Sequence, residues 1–283
     1  MITDLSKFVI VFDLDGIICR PQAKQLHEDT QIDQTCFNLA NPECPVSLLI
    51  PSNTSQYIYY FPPYLDVLFR YLINSNCRII FFSAANEARN TLLVTKLLTN
   101  IMGYIDYPQL KYSGQFNIFS NHHLTLHNKK DISIVLNEHE DLNNSVLIDD
   151  QIQNAIENTS CISAFNLYSW DFSHKDHDSF FSLAKNNAYY LLGIFINYFN
   201  NQQNLSLKDW LIKININKKD LSDIPVNFIK QMISLGLEQV KQYYPDAIFY
   251  GRRGFTMLEE ELNETQELSE ETRYNLSHPT PII

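Results

Sequence analysis

The sequence feature that most constrains the fold is the apolar run Phe8–Phe12 (FVIVF), which ends at the acidic turn Asp13–Gly16 (DLDG). Every residue of this run is apolar, whereas a strand with one face in water alternates apolar and polar residues. The run therefore predicts a strand covered on both faces, as in a parallel sheet between layers of helices. Because ligands bind at the carboxyl ends of strands in open α/β sheets, we expect Asp13 and Asp15 to lie in the functional site.

Two further runs, Arg78–Ser83 and Val146–Asp149, have the same character, and helix-length stretches separate the strands. This alternation predicts a central parallel sheet with helices on its faces, and Asn86 is expected to cap the second helix. Between Cys19 and Asn53 the periodicity is lost and prolines recur, so this range is interpreted as an insert of loops or a small flap. The helices predicted in this part of the chain are Tyr64–Asn74, Asn86–Asn100, Asp131–Asn137 and Ile152–Asn158.

The second half of the chain changes character from about Phe180 onward, where helical periodicity replaces the strand signals. The predicted helices there are Phe180–Phe199, Leu207–Lys213 and Leu221–Tyr243. The predicted fold class is α/β, with a Rossmann-like core, a central parallel sheet, a short insert after the first strand and a C-terminal α-helical domain. We divide the chain into a core at 1–175 with its insert at 19–53, a helical domain at 176–255, and an acidic tail at 256–283 that is expected to be disordered.

The charge distribution excludes some partners and suggests another. A formal net charge of −11 argues against nucleic acid as a partner, because binding the phosphate backbone needs a basic surface. Residues 185–253 nevertheless carry nine basic against five acidic side chains. This stretch is either a solvated face or a surface for anionic lipid such as phosphoinositide. The aromatic residues that favour the lipid interpretation are Trp210, Tyr243, Tyr244, Phe249, Tyr250 and Phe255.

Five cysteines without a CxxC pair predict a reducing compartment and neither a disulfide framework nor a zinc site. The sequence shows no signal peptide and no apolar segment of about 20 residues, so a soluble protein is expected.

The acidic side chains Asp13 and Asp15 are two residues apart on an emerging strand, which directs them to the same side. One can then attack phosphorus while the other transfers a proton to the leaving oxygen. This pattern alone is only moderately specific, because Asp and Gly are also common turn residues. Three further groups follow at strand ends or in loops: Ser83, the pair Lys129–Lys130 and the pair Asp149–Asp150.

This order of residues resembles the haloacid-dehalogenase (HAD) superfamily, whose motifs are an Asp-x-Asp loop, a strand-ending Ser or Thr, a Lys, and an acidic or Asn pair. The segments YFPPYLDVLFRYL, FFSAANEARNTLLVTKLL, NKKDISIVL and SVLIDDQ are similar, more narrowly, to the small C-terminal-domain phosphatase branch, which acts on phosphoproteins. The resemblance covers about residues 5–172. The Glu-rich stretch Glu259–Glu271 is either a solubilising terminus or resembles the export signal of effectors that intracellular bacteria inject by type IV secretion.

The resemblance implies a role for each motif residue. Asp13 would be the nucleophile that becomes aspartyl-phosphate, and Asp15 the general acid that later activates water. Ser83 would hold a phosphoryl oxygen. Lys130 would neutralise charge on the nucleophile and the phosphoryl group, with Lys129 as its rival.

The resemblance also implies Mg²⁺, which prefers oxygen ligands. Its expected ligands are the Asp13 carboxylate, the Asp15 backbone carbonyl and Asp150, with Asp149 in support. The chain departs from the family at three positions: Ile17 stands where Thr is common, Gly16 where an acid is common in the branch, and Asp150 where Asn is common. The last departure makes the expected metal site more negative.

The resulting prediction is a Mg²⁺-dependent phosphoprotein phosphatase that prefers phosphotyrosine to phosphoserine or phosphothreonine, with membrane targeting through residues 185–255. One alternative is a small-molecule phosphatase for a nucleotide or sugar phosphate. A second is a phosphoinositide-docking protein whose phosphatase domain is vestigial.

Overall fold

The computed structural model describes residues 7–23, 46–51, 56–62, 64–102, 114–167, 177–201 and 204–244. The predicted acidic tail at 256–283 and the predicted export signal lie outside these ranges. So do Phe249, Tyr250 and Phe255, which the lipid interpretation invokes.

A five-stranded parallel sheet forms the centre of the fold, in the spatial order β6-β5-β1-β7-β8. All residues of β1, β5 and β7 are buried, as their continuous apolar runs predict. The α/β fold class with a central parallel sheet is therefore confirmed. Its strands are β1 (Phe8–Phe12), β5 (Cys77–Phe82), β6 (Phe116–Phe119), β7 (Ser145–Asp149) and β8 (Cys161–Ser163).

A second sheet occupies the region of the expected insert, and it contains β2 (Arg20–Ala23), β3 (Val46–Pro51) and β4 (Gln56–Phe61). The three strands pair antiparallel in the order β2-β4-β3. The interpretation of this region as loops is therefore wrong for β2 and β3. Their prolines, Pro21 and Pro51, lie in the two edge strands, where a missing N–H does not interrupt the ladder.

The five described helices are α1 (Leu65–Asn74), α2 (Glu87–Met102), α3 (His177–Asn201), α4 (Leu207–Lys213) and α5 (Val226–Tyr243). The predicted helix Leu221–Tyr243 is interrupted, because only a short 3₁₀ helix precedes Pro225 and α5 begins after it. None of the helices described is both long enough and apolar enough to cross a bilayer.

Two other helix predictions, Asp131–Asn137 and Ile152–Asn158, are wrong. The structure has only short 3₁₀ helices there, Ile132–Val135 and Ile152–Asn154. Asp131 caps the first of them, because its side chain accepts a hydrogen bond from the N–H of Ser133. The second ends where the backbone enters a parallel bridge: the N–H of Ile156 donates to the carbonyl oxygen of Lys130 and not to a helical partner.

The core lies on both faces of the central sheet. Val9 and Val11 of β1 face a smaller apolar cluster, whereas Phe8, Ile10 and Phe12 face a larger one. That larger cluster continues into α1 and into α3–α5, and the ring of Phe8 lies 5.7 Å from that of Tyr198. The division into domains near residue 176 stays a prediction, but the described helices and the sheet share one core.

Helices α3 and α5 approach each other very closely. Their crossing is possible because Gly193 lies against the backbone of Met232 and Gly236 against the backbone of Tyr189. A Cβ atom built at Gly193 would lie 1.8 Å from the carbonyl oxygen of Met232. No larger side chain fits between these two helix backbones.

Candidate active site

The register of the central sheet brings the predicted site residues to one edge. Phe12, the last residue of β1, pairs with Phe81 of β5 and with Ile148 of β7. The next residue, Asp13, is only 7% exposed, and its N–H donates to the carbonyl oxygen of Ile148 at 2.9 Å. The carboxylate of Asp13 is thus fixed between the ends of the neighbouring strands, where Asp149 also lies.

Lys130 reaches this edge from the segment before β7. Its Nζ lies 2.9 Å from Oδ1 of Asp13 and 2.7 Å from Oδ2 of Asp149, and the side chain is buried. Lys129 is exposed, so Lys130 is the lysine that contacts the acidic cluster. Although burial opposes the ammonium form, the carboxylates of Asp13 and Asp149 raise the pKa of Lys130 above its usual value.

The backbone of Lys130 is extended, and the lysine precedes only a short 3₁₀ helix where the helix Asp131–Asn137 was predicted. Its N–H donates to the carbonyl oxygen of Asn154 at 2.7 Å, and its own carbonyl accepts from the N–H of Ile156 at 3.3 Å. These bonds form a parallel bridge to Ala155, so the lysine is held in extended backbone. These two bonds hold the backbone of Lys130 against the segment that follows β7.

Asp149 is surrounded by donors. Its Oδ1 accepts from the N–H of Gln151 at 2.9 Å and from Nδ2 of Asn154 at 3.0 Å, while Oδ2 faces Lys130. These bonds hold the buried carboxylate in one orientation. They suit the supporting role that the sequence suggested for Asp149, a role that stays a prediction.

The residues present fit a divalent cation bound by oxygen. Single carboxylate oxygens of Asp13, Asp149 and Asp150 all lie within 4.8 Å of one another. Opposite ligands of Mg²⁺ are about 4.2 Å apart, since each bond is about 2.1 Å. The cluster also concentrates negative charge: burial raises the pKa of Asp13 to about 7, with Lys130 opposing the rise and Asp149 adding to it. Burial, followed by the charge of Asp149, likewise raises the pKa of Asp150 to about 7.

Asp15, the second acid of the motif, lies on the same side as Ser83 and is bonded to it. The hydroxyl of Ser83 donates to Oδ2 of Asp15 at 3.0 Å, and Ser83 Oγ accepts from the N–H of Ala85 at 3.1 Å. Ser83 is buried and directly follows β5. The structure thus brings the predicted site residues together at the carboxyl edge of the sheet: Asp13, Asp15, Ser83, Lys130 and the pair Asp149–Asp150.

Arg89 is a site residue that the sequence analysis did not single out. Its guanidinium forms a two-pronged ion pair with Asp15: Nη1 donates to Oδ2 at 2.9 Å and Nη2 donates to Oδ1. Asn86 caps α2 as predicted, because its Oδ1 accepts from the N–H of Arg89 at 2.9 Å. Arg89 is therefore in the first turn of α2, where a cation opposes the helix dipole. That unfavourable placement is the sequence signal that could have singled out the residue.

The turn after Asp13 is supported from the helical part of the chain. Gly16 adopts a positive φ of 89°, which favours glycine, and its carbonyl accepts from the N–H of Leu167 at 2.8 Å. Ile17, where the family commonly has Thr, is fully buried, and its carbonyl accepts from Nδ2 of Asn187 on α3 at 3.3 Å. The turn after Asp13 is thus bonded to α3 and to the segment before it.

Three aromatic residues of the predicted lipid surface lie in the described part of the chain, and two of them contact its interior. Trp210 is buried against Tyr198, and the hydroxyl of Tyr244 donates to Asp66. Tyr243 is 41% exposed. Tyr243 and Tyr244 lie at the end of α5, and Tyr243 is the more exposed of the two.

Comparison with known proteins gives structural neighbours only. No protein-family model matches the chain, and no curated protein matches it significantly. Fifteen chains of solved structures match it. One is the fission yeast RNA polymerase II CTD phosphatase Fcp1, as an arginine-to-alanine variant bound to beryllium fluoride. It is 14% identical over 88% of this chain and 67% of that chain, with a TM-score of 0.40.

A second match is the structure of Fcp1 described as an essential RNA polymerase II CTD phosphatase. It is 14% identical over 88% of this chain and 66% of that chain, with a TM-score of 0.38. This chain therefore spans about two thirds of the length of each Fcp1 chain. At such identities and TM-scores, the activity of Fcp1 does not transfer to this chain.

Proposed function

We propose that the protein is a HAD-type phosphatase that hydrolyses phosphate monoesters through an aspartyl-phosphate on Asp13. The observation that carries the proposal is the position of the Asp13 carboxylate: it lies at the carboxyl end of the central strand, 2.9 Å from Lys130 Nζ and beside Asp149 and Asp150. A nucleophilic carboxylate needs a nearby cation and an accompanying acid, and Asp15 follows two residues later.

The reaction would proceed in two steps. In the first, an oxygen of Asp13 forms a bond to phosphorus as the ester P–O bond breaks, and Asp15 donates a proton to the leaving oxygen. In the second, water attacks phosphorus, the bond between phosphorus and the Asp13 oxygen breaks, and Asp15 takes the proton of the water. The free hydroxyl or phenol and inorganic phosphate are the products.

The chain's own cations would balance the charge that arrives with the substrate. Lys130 touches both Asp13 and Asp149, so its ammonium group attracts a dianionic phosphoryl group to the nucleophile. Ser83 supplies a hydroxyl at the same edge, where it would bond a phosphoryl oxygen. Bound Mg²⁺, held by Asp13, Asp150 and the Asp15 backbone carbonyl with Asp149 in support, would offset the repulsion between the phosphate and these carboxylates.

We further propose a phosphoprotein substrate, with phosphotyrosine preferred over phosphoserine and phosphothreonine. This part of the proposal rests on the resemblance of the motif segments to the small C-terminal-domain phosphatase branch and to secreted bacterial phosphatases of the superfamily. Targeting to anionic lipid through residues 185–255 stays a separate prediction. Retention on phosphoinositide vesicles but not on neutral vesicles would support it.

The test is a phosphate-release assay with excess Mg²⁺ or with chelator, on a phosphopeptide array and on a panel of nucleotide and sugar phosphates. Asp13→Asn is the matched variant, because it keeps the shape of the side chain and removes the nucleophile. We expect metal-dependent turnover of phosphopeptides that Asp13→Asn abolishes. Full activity of Asp13→Asn would refute the mechanism, and far faster turnover of free metabolites would refute the protein substrate.

A further inference from the structure

Arg89 contacts the proposed acid through a network that involves most of its donors. Besides the two bonds to Asp15, its Nε donates to the hydroxyl of Tyr59 at 3.3 Å and its Nη1 donates to Oδ1 of Asn90 at 2.8 Å. The guanidinium also lies over the Tyr59 ring, 5.1 Å from its centroid. An arginine fork bonded in three directions is held in one orientation.

The partners of Arg89 are themselves fixed. Tyr59 belongs to β4 and is buried in the core. Asn90 is fully buried, and its Nδ2 donates to the carbonyl of Ala85 and to Oγ of Ser120 at 3.1 and 3.0 Å. The orientation of the fork is therefore set by the second sheet on one side and by the loop after β5 on the other.

The donors that the structure describes around Asp15 leave one lone-pair position of its carboxylate without a donor. A carboxylate has about four lone-pair positions, two on each oxygen. Among the described residues, Oδ2 accepts from Arg89 and from Ser83, whereas Oδ1 accepts from Arg89 alone. The Asp15 side chain remains 26% exposed, so solvent and a substrate can reach it.

We propose that Arg89 is a positioning residue, which fixes the carboxyl group of Asp15 so that Oδ1 exchanges the proton with the leaving oxygen of the substrate. This inference rests on the proposed phosphatase function and adds a residue to it. The second sheet gains a role as well, because Tyr59 of β4 holds the arginine in place.

The leaving group provides the test. A p-nitrophenolate leaves readily without a proton, whereas an alkoxide needs one, so only the alkyl ester depends strongly on a well-placed acid. We expect Arg89→Met to lower kcat/KM for an alkyl phosphate by about 10- to 100-fold and for p-nitrophenyl phosphate by less than about threefold. Tyr59→Phe should shift the ratio in the same direction by a smaller factor, because the ring stays and only the hydroxyl is lost.

Two further variants separate position from charge. Arg89→Lys keeps the charge but cannot hold both carboxylate oxygens, so we expect it to behave like Arg89→Met on the alkyl ester. Arg70→Met removes an exposed arginine on α1 and should leave both substrates unaffected. Full rescue by lysine, or an equal loss on both esters through a raised KM, would overturn the positioning role. Faster turnover in Arg89→Met would overturn it too, since the ion pair would then be a block.

The assay also distinguishes the two proposals from each other. If the wild-type protein hydrolyses neither of these esters nor any phosphopeptide, or if Asp13→Asn is fully active, the phosphatase function fails. If the wild-type protein is active, Asp13→Asn is inactive and the Arg89 variants keep the wild-type ratio between the two esters, only the role of Arg89 fails.

Discussion

In the metal-free protein, raising the pH from about 5.5 to about 7.5 should lower the free energy of unfolding. The reason is the buried carboxyl of Asp13, whose pKa rises from 3.8 to about 7 because of burial, against the opposing charge of Lys130. Between those two values the folded protein binds more protons than the unfolded chain. Unfolding then releases protons, so stability falls as pH rises through the folded pKa, and it levels off above that value.

The size of the effect follows from the two pKa values. Near pH 5.5 the folded Asp13 holds almost one proton and the unfolded one almost none, and by about pH 7.5 most of the difference has gone. Integrating between these limits gives a loss of about 2 kcal/mol from Asp13. Asp150, whose pKa is also raised to about 7, would add a loss in the same direction.

The assay is urea unfolding at both pH values in chelator, with Asp13→Asn as the matched variant. Histidines outside the cluster contribute equally to both proteins, so the difference between the two pH dependences isolates Asp13. Asp13→Asn should lose about 2 kcal/mol less than the wild-type protein over this range. Excess Mg²⁺ should stabilise the wild-type protein more at the higher pH, where the cation displaces fewer protons. Equal pH dependence in the two proteins would refute the assignment of a raised pKa to Asp13.

Three other substitutions test the packing around the site. Lys130→Met should lower the free energy of unfolding by roughly 3–5 kcal/mol in urea without metal, because it leaves buried carboxylates without their cation. Its exposed neighbour is the control: Lys129→Met should change this free energy by less than about 0.5 kcal/mol, and similar costs for the two variants would contradict the burial of Lys130. Gly193→Ala should lower the free energy of unfolding by roughly 1–3 kcal/mol, because its Cβ atom would clash with the Met232 carbonyl. A variant as stable as the wild-type protein would refute the close crossing of α3 and α5. Asn187→Leu should lower the free energy of unfolding by roughly 1–3 kcal/mol and should lower kcat, because it removes the donor to the carbonyl of Ile17 in the turn after Asp13. An unchanged kcat would show that this bond does not support the turn.

The parts of the fold that the sequence predicts best are those determined by local pattern. The run Phe8–Phe12 predicts β1 to the residue, because a continuously apolar segment next to an acidic turn has few other solutions. The acidic positions Asp13 and Asp149 follow from it, because each comes at the end of a buried parallel strand and parallel strands end at one edge of the sheet. Position along the strand is enough to place these groups together.

The parts that the sequence does not predict depend on contacts between distant segments. Arg89 is a site residue because it contacts Asp15, which lies 74 residues away in the sequence, and no local pattern predicts that partner. Edge strands β6 and β8 have only four and three residues, too few to show a clear period. The predicted helix Ile152–Asn158 fails for the same kind of reason, because its backbone pairs with Lys130, which lies more than 20 residues earlier in the sequence.

The helical part of the chain supports the turn after Asp13, and these contacts limit the surfaces that the helices can offer to a partner. Asn187 of α3 bonds the carbonyl of Ile17, and Leu167, just before α3, bonds the carbonyl of Gly16. The aromatic side of α3 also covers Phe8 of β1 and Tyr64 beside α1. A membrane-binding function for α3–α5 would therefore have to use their outward faces, since the inner faces belong to the sheet's core.

Removing everything after residue 176 tests this account. The shortened chain would expose the aromatic face of β1 and α1 and would lose the donor to Ile17, so we expect it to aggregate or to lack phosphatase activity. The comparison is with the full chain carrying Lys213→Met and Lys230→Met, which removes charge from the outward faces and keeps the core. That variant should keep full activity on p-nitrophenyl phosphate while losing any retention on anionic vesicles. A shortened chain that stays folded and fully active would show that the sheet and the turn after Asp13 do not need the helices.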